Sequence, residues 1–134
     1  MSTARKIIEA EKSVEMLREL SNDNFKTEFE NFCGIISDMF LHFLDEYNVK
    51  FGLRIERISF EKFKTIAKRN GKIEAINFLI WYEKEYKKLK NNPEFGRFLE
   101  KEFEMPQNQQ DAIKISSALL DETKKTIYYA YENF

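Results

Sequence analysis

A chain of 134 residues suits one domain with an ordinary hydrophobic core and leaves little room for a second. Four Gly and two Pro give too little turn punctuation for a sheet-rich fold, and 22 basic against 23 acidic residues, net charge −1, argue against a strongly basic nucleic-acid binder or an acidic tail protein. A single Cys cannot form an internal disulfide, residues 1–20 lack the apolar stretch of a signal peptide, and the longest apolar run, 76–82, falls far short of the roughly 20 residues that span a bilayer, so the chain reads as cytoplasmic with no membrane contact.

The first helix is predicted over 3–20. Ile7, Ala10, Val14 and Leu17 recur at three- and four-residue steps on one face, with Glu9, Glu11, Lys12, Glu15, Arg18 and Glu19 opposite. Ser21, Asn22, Asp23 and Asn24 form a break rich in capping residues. The second helix, about 23–47, carries the stripe Phe25, Phe29, Phe32, Ile36, Met39, Phe43 and Tyr47, widened by Cys33, Phe40 and Leu44. So broad an apolar face predicts a central helix with more than one neighbour.

Residues 48–58 are ambiguous between strand and loop. Val49, Phe51, Leu53 and Ile55 alternate as a strand would, yet no second alternating run exists to pair with them, so an extended connection is favoured, with edge pairing in a dimer as the alternative. A short helix is predicted over 60–69, capped by Ser59 and stopped by Asn70 and Gly71. A long one follows over 72–90, with Ala75, Leu79, Tyr82, Tyr86 and Leu89 as its core row and Ile73, Ile76 and Ile80 beside them. Asn92 before Pro93 predicts a second short helix over 93–103, with Phe95, Phe98, Leu99 and Phe103 inward. The last helix, 107–133, repeats Ile113, Leu120, Ile127 and Phe134 every seven residues, with Ser116, Ser117, Thr123 and Ala130 between. Small residues in that seam allow close helix approach. The expectation is a single all-α domain over 1–134: a helical bundle of four long helices with two short inserted helices.

Chemical handles are few. His42 has Asp38 one turn before it and Asp45 and Glu46 one turn after, a grouping that would suit a divalent metal or orient the imidazole as a base, or else is an acidic solvated helix face, the more ordinary reading. Cys33 sits among Phe29, Phe32, Ile36 and Phe40 and reads as a structural thiol. No phosphate loop, zinc spacing or serine elbow is present, so no catalytic residue and no cofactor is assigned.

Charge is uneven. Residues 61–90 hold nine basic and four acidic side chains, a local balance of +5 that leaves −6 elsewhere in a chain of net charge −1. Lys68, Lys84, Lys87 and Lys88 with Tyr82 or Tyr86 are the candidates for RNA, lysines on phosphates and a tyrosine under a base. The competing account is a core aromatic row behind a lysine-rich solvent face. The same polarity would serve a homo-oligomer or a complex with another protein.

The runs Phe29-Glu30-Asn31-Phe32-Cys33-Gly34-Ile35-Ile36, Phe78-Leu79-Ile80-Trp81-Tyr82 and Asn92-Pro93-Glu94-Phe95-Gly96-Arg97-Phe98-Leu99 resemble HEPN-type helical domains, over roughly 25–104. The resemblance implies a small dimeric bundle, in some members an RNA-cleaving toxin or defence component and in others a non-catalytic partner. Nucleases of that type share an Arg-x(4–6)-His motif near the short helix. Here Arg97 and Lys101 are followed by no His, and His42 has no Arg four to seven residues before it. The resemblance therefore implies a member without the nuclease pair, in which binding is the remaining role. On the residues alone, a non-enzymatic interaction module is the first functional expectation and RNA binding the second.

Overall fold

The computed structural model describes residues 2–134. Its elements are α1 (Thr3–Glu19), α2 (Phe25–Lys50), α3 (Phe60–Asn70), α4 (Ile73–Lys90), a 3-10 turn (Gly96–Leu99) and α5 (Gln109–Asn133), with no strand among the described residues. The all-α bundle is as expected, and none of these helices is long and apolar enough to cross a membrane.

Local signals start and stop the helices. The Ser2, Ser59 and Asn108 side chains cap α1, α3 and α5 by accepting from the backbone N–H groups of Arg5, Lys62 and Asp111. Gly71 ends α3 in the left-handed region at φ 64°, where its N–H donates to the Ala67 carbonyl. One cap is not local. The Gln109 side-chain amide donates to the Leu17 carbonyl (2.8 Å) and the Arg18 carbonyl (3.3 Å), and Asn22 Oδ1 accepts from the Gln109 N–H (2.9 Å). The start of α5 thereby satisfies the end of α1.

The second short helix is not formed. Asn92 Oδ1 does cap the turn, accepting from the Glu94 and Phe95 N–H groups, but only the 3-10 turn follows. Gly96 explains the difference. A Cβ there would lie well inside contact distance of the Lys90 carbonyl and 2.9 Å from the Leu89 carbonyl oxygen. The chain folds back onto the end of α4 through that glycine instead of leading a helix away from it. Phe95, Phe98 and Leu99 still point inward and are buried.

Residues 51–58 form a connection, not a strand. The buried Asn48 side chain replaces the missing ladder partner. Its Oδ1 accepts from the Ile55 N–H (3.0 Å) while its Nδ2 donates to the Ile55 carbonyl (2.9 Å) and to Asp45 Oδ1 (3.0 Å). Gly52 (φ 64°) and Arg54 (φ 58°) make the bends that bring the segment back.

α2 lies at the centre. α1 and α5 pack closely against it and each other, and their small residues Ala10, Ser116, Thr123 and Ala130 are all fully buried. On its other side α2 meets α4 through rings rather than backbone. Phe43 lies 5.8 Å from Phe78 and 6.1 Å from Tyr82, and Tyr47 stacks on Phe78 at 4.2 Å. An aromatic layer therefore sets the α2–α4 separation.

Candidate interaction groove

Beyond the end of the aromatic layer, the separation of α2 and α4 leaves an open groove of ≈ 740 Å³. Its floor is the buried Phe40, Leu44, Tyr82 and Leu99. Tyr86 stands along the wall, edge-on to Phe40 (5.1 Å) and stacked on Tyr82 (5.8 Å). Leu41, 42 % exposed, and Phe60, at the start of α3, complete the apolar lining. The rim carries Glu83, Lys87, Lys90, Glu100 and Lys101. Glu83 is engaged by Lys64 of α3 at 3.6 Å. Lys87, Lys90 and Lys101 enter no ion pair among the described residues, so three free ammonium groups face one free carboxylate, Glu100. Lys87 and Lys90 also lie in the last turn of α4, where positive charge suits the helix dipole.

The structure divides the lysines proposed for RNA. Lys87 is on the groove rim. Lys84 faces a separate cleft towards α5, beside Trp81 and Tyr129, where Lys88 pairs with Glu85 (3.2 Å) and Lys125 with Glu122 (3.3 Å). Lys68 is exposed on α3. Tyr82 is 4 % exposed and forms part of the floor, so it cannot stack on a base; Tyr86 is half-buried and its ring is already packed against Phe40 and Tyr82. The residues that reading missed, Leu41, Phe60, Lys90, Leu99 and Lys101, come from four separate segments and meet only in the folded chain.

The residues around His42 are likewise parted. Asp38 pairs with Lys6 (3.7 Å), and Asp45 accepts from Asn48. Glu46 accepts from the Thr3 N–H and from the Tyr131 hydroxyl, both at 2.8 Å. Glu46 thus ties the start of α1 and the end of α5 to α2, and its carboxylate suits the positive end of the α1 dipole. Among the described residues no three His, Cys, Asp or Glu side chains are grouped to hold a metal. Burial, and then the charge of Glu30, push the Cys33 thiol up to about 12, so it stays protonated and is a poor nucleophile at neutral pH.

Four tyrosines share one electrostatic property. Burial lifts Tyr82, Tyr86 and Tyr131 above the usual phenol value, with the hydrogen bond to Glu46 adding to the effect at Tyr131. Burial and the neighbouring Glu46 push Tyr47 up to about 12. Each phenol is therefore held neutral when folded and ionises near 10.0 when unfolded. Their contribution is complete below the unfolded value and is lost as pH rises through it towards the folded values. Thermal melts are expected to hold steady up to about pH 9 and to fall steeply above about pH 10, with phenolate absorbance rising in step with unfolding. A melting temperature flat across that range would mean these rings are wet in solution.

Comparison with known protein families, with curated proteins and with solved structures finds no match.

Proposed function

We propose that this chain is a non-enzymatic interaction module that receives its partner in the α2–α4 groove. The observation that carries the reading is the groove itself: a largely apolar floor of Phe40, Leu44, Tyr82 and Leu99 beside three free lysines. The resemblance to HEPN-type domains without an Arg-x(4–6)-His motif agrees with binding in place of cleavage. RNA is the weaker reading, because its lysines lie on separate faces, Tyr82 is buried, and the half-buried Tyr86 ring is already packed on Phe40 and Tyr82.

Site-specific photocrosslinking in cells that make the protein tests the reading. A benzophenone side chain at Leu41, in the groove wall, should yield a discrete protein adduct, whereas the same group at Ile8, 53 % exposed on α1 and outside the groove, should not. An adduct of twice the chain's own mass would identify a second copy as the partner. No adduct from position 41, or equal adducts from both positions, would overturn the reading.

A further inference from the structure

We infer that the groove's occupant is an amphipathic helix of a partner protein, with carboxylates flanking its apolar anchors. The inference rests on the groove being an interaction site and adds the chemistry of what enters it.

Shape gives the first argument. The groove runs along α4 from Tyr82 to Lys90, ending at the cap residue Asn91, and along α2 from Ser37 to Leu44. At a rise of 1.5 Å per residue these walls are about 12 Å and about 10 Å long. Apolar anchors at i, i+4 and i+7 of a helix span about 10 Å, which matches. The groove is open to solvent along its side instead of closing over a small molecule. Its floor offers Phe40, Leu44 and Leu99 to apolar anchors, with no unpaired buried polar side-chain atom among the lining residues.

Charge gives the second. Lys87 and Lys90 stand on one wall and Lys101 at the end beyond the 3-10 turn. Glu83 is already engaged by Lys64, so the unspent charge is three ammonium groups against Glu100. A helix with Glu or Asp beside its anchors meets those ammonium groups; one with Lys there meets repulsion along the α4 wall and at the end by Lys101, while the α2 wall carries no charge. The lysines are exposed, so their contribution is selectivity and encounter rate, weakening with salt, while the apolar floor supplies affinity.

The test is fluorescence anisotropy with a labelled, end-capped helical peptide of about 14 residues carrying Leu at i, i+4 and i+7 and Glu on both flanks, beside a twin with Lys in place of every Glu. The Glu peptide is expected to bind saturably and the twin at least about tenfold more weakly. The triple variant Lys87→Glu, Lys90→Glu, Lys101→Glu should reverse that preference, which a loss of folding would not do. Leu41→Ser, which removes apolar lining without adding charge, should weaken the Glu peptide without lowering the melting temperature. Equal binding of the two peptides, or an unchanged preference in the triple variant, overturns the acidic occupant and leaves the groove reading intact. Binding of neither peptide while position 41 still crosslinks to protein overturns the helical occupant alone. Absence of both signals overturns the groove reading as well. Saturable binding of a labelled single-stranded RNA that the triple variant abolishes would replace the helix with nucleic acid.

Discussion

Phe78→Ala is expected to lower stability by about 3–5 kcal/mol, the range for emptying a buried Phe site, and to drop the melting temperature by roughly 10–20 °C. Phe78 is fully buried where α2, α3, α4 and the end of α5 converge. Tyr47 stacks on it at 4.2 Å, Phe43, Phe51 and Phe63 surround it within 5.8 Å, and Phe134 meets it edge-on at 5.5 Å. Removing the ring deletes its own transfer energy and leaves a cavity that neighbouring rings, each held by others, cannot refill. Denaturant melts of the wild type, Phe78→Ala and Phe78→Leu check this, with leucine recovering about half of the loss. A drop below about 1 kcal/mol for alanine would mean that the aromatic layer is loosely packed. The same layer sets the α2–α4 separation, so the alanine variant should also lose peptide affinity at temperatures where it is still folded.

The parts of the fold that depend on neighbours in sequence were legible. The α1 row Ile7, Ala10, Val14 and Leu17 is buried as the spacing predicts, and Ser59 and Gly71 bound α3 as capping chemistry predicts. Failures arise where a backbone contact outside the periodic pattern decides. Asn92 caps as its residue type predicts, but whether a helix or a single turn follows depends on Gly96 approaching the carbonyls of Leu89 and Lys90, a contact that helix periodicity does not reveal. The helix wheel contained one correction from the start. Tyr82 falls on the core row Ala75, Leu79, Tyr82, Tyr86 and Leu89, and the periodicity that places it there forbids a stacking role in solvent. The lysines could not be sorted in the same way. Separating Lys87 and Lys90 from Lys84 requires knowing that α2 flanks one side of α4 and α5 the other, and Lys101 joins the rim only because the chain folds back through the 3-10 turn.

Asn48→Ala is expected to destabilise the protein by about 2–3 kcal/mol, more than an Asn ordinarily contributes, because one side chain satisfies both backbone groups of Ile55. Replacing it leaves an N–H and a carbonyl unpaired at a half-buried residue, with no strand nearby to take them. Asn48→Asp separates the two bonds. It retains an acceptor for the Ile55 N–H, loses the donor to the Ile55 carbonyl, and sets a second carboxylate beside Asp45 Oδ1, where the amide now donates at 3.0 Å. The aspartate variant should therefore be as unstable as alanine near neutral pH and recover in acid as its carboxyl becomes a donor. Hydrogen exchange locates the effect: the Ile55 amide should lose protection first, ahead of the α1, α2 and α5 core. Because the clamped segment leads directly into Phe60, on the groove lining, its release should weaken the Glu-flanked peptide while leaving helix content almost unchanged. Full protection of the Ile55 amide in Asn48→Ala would show that another partner holds the connection.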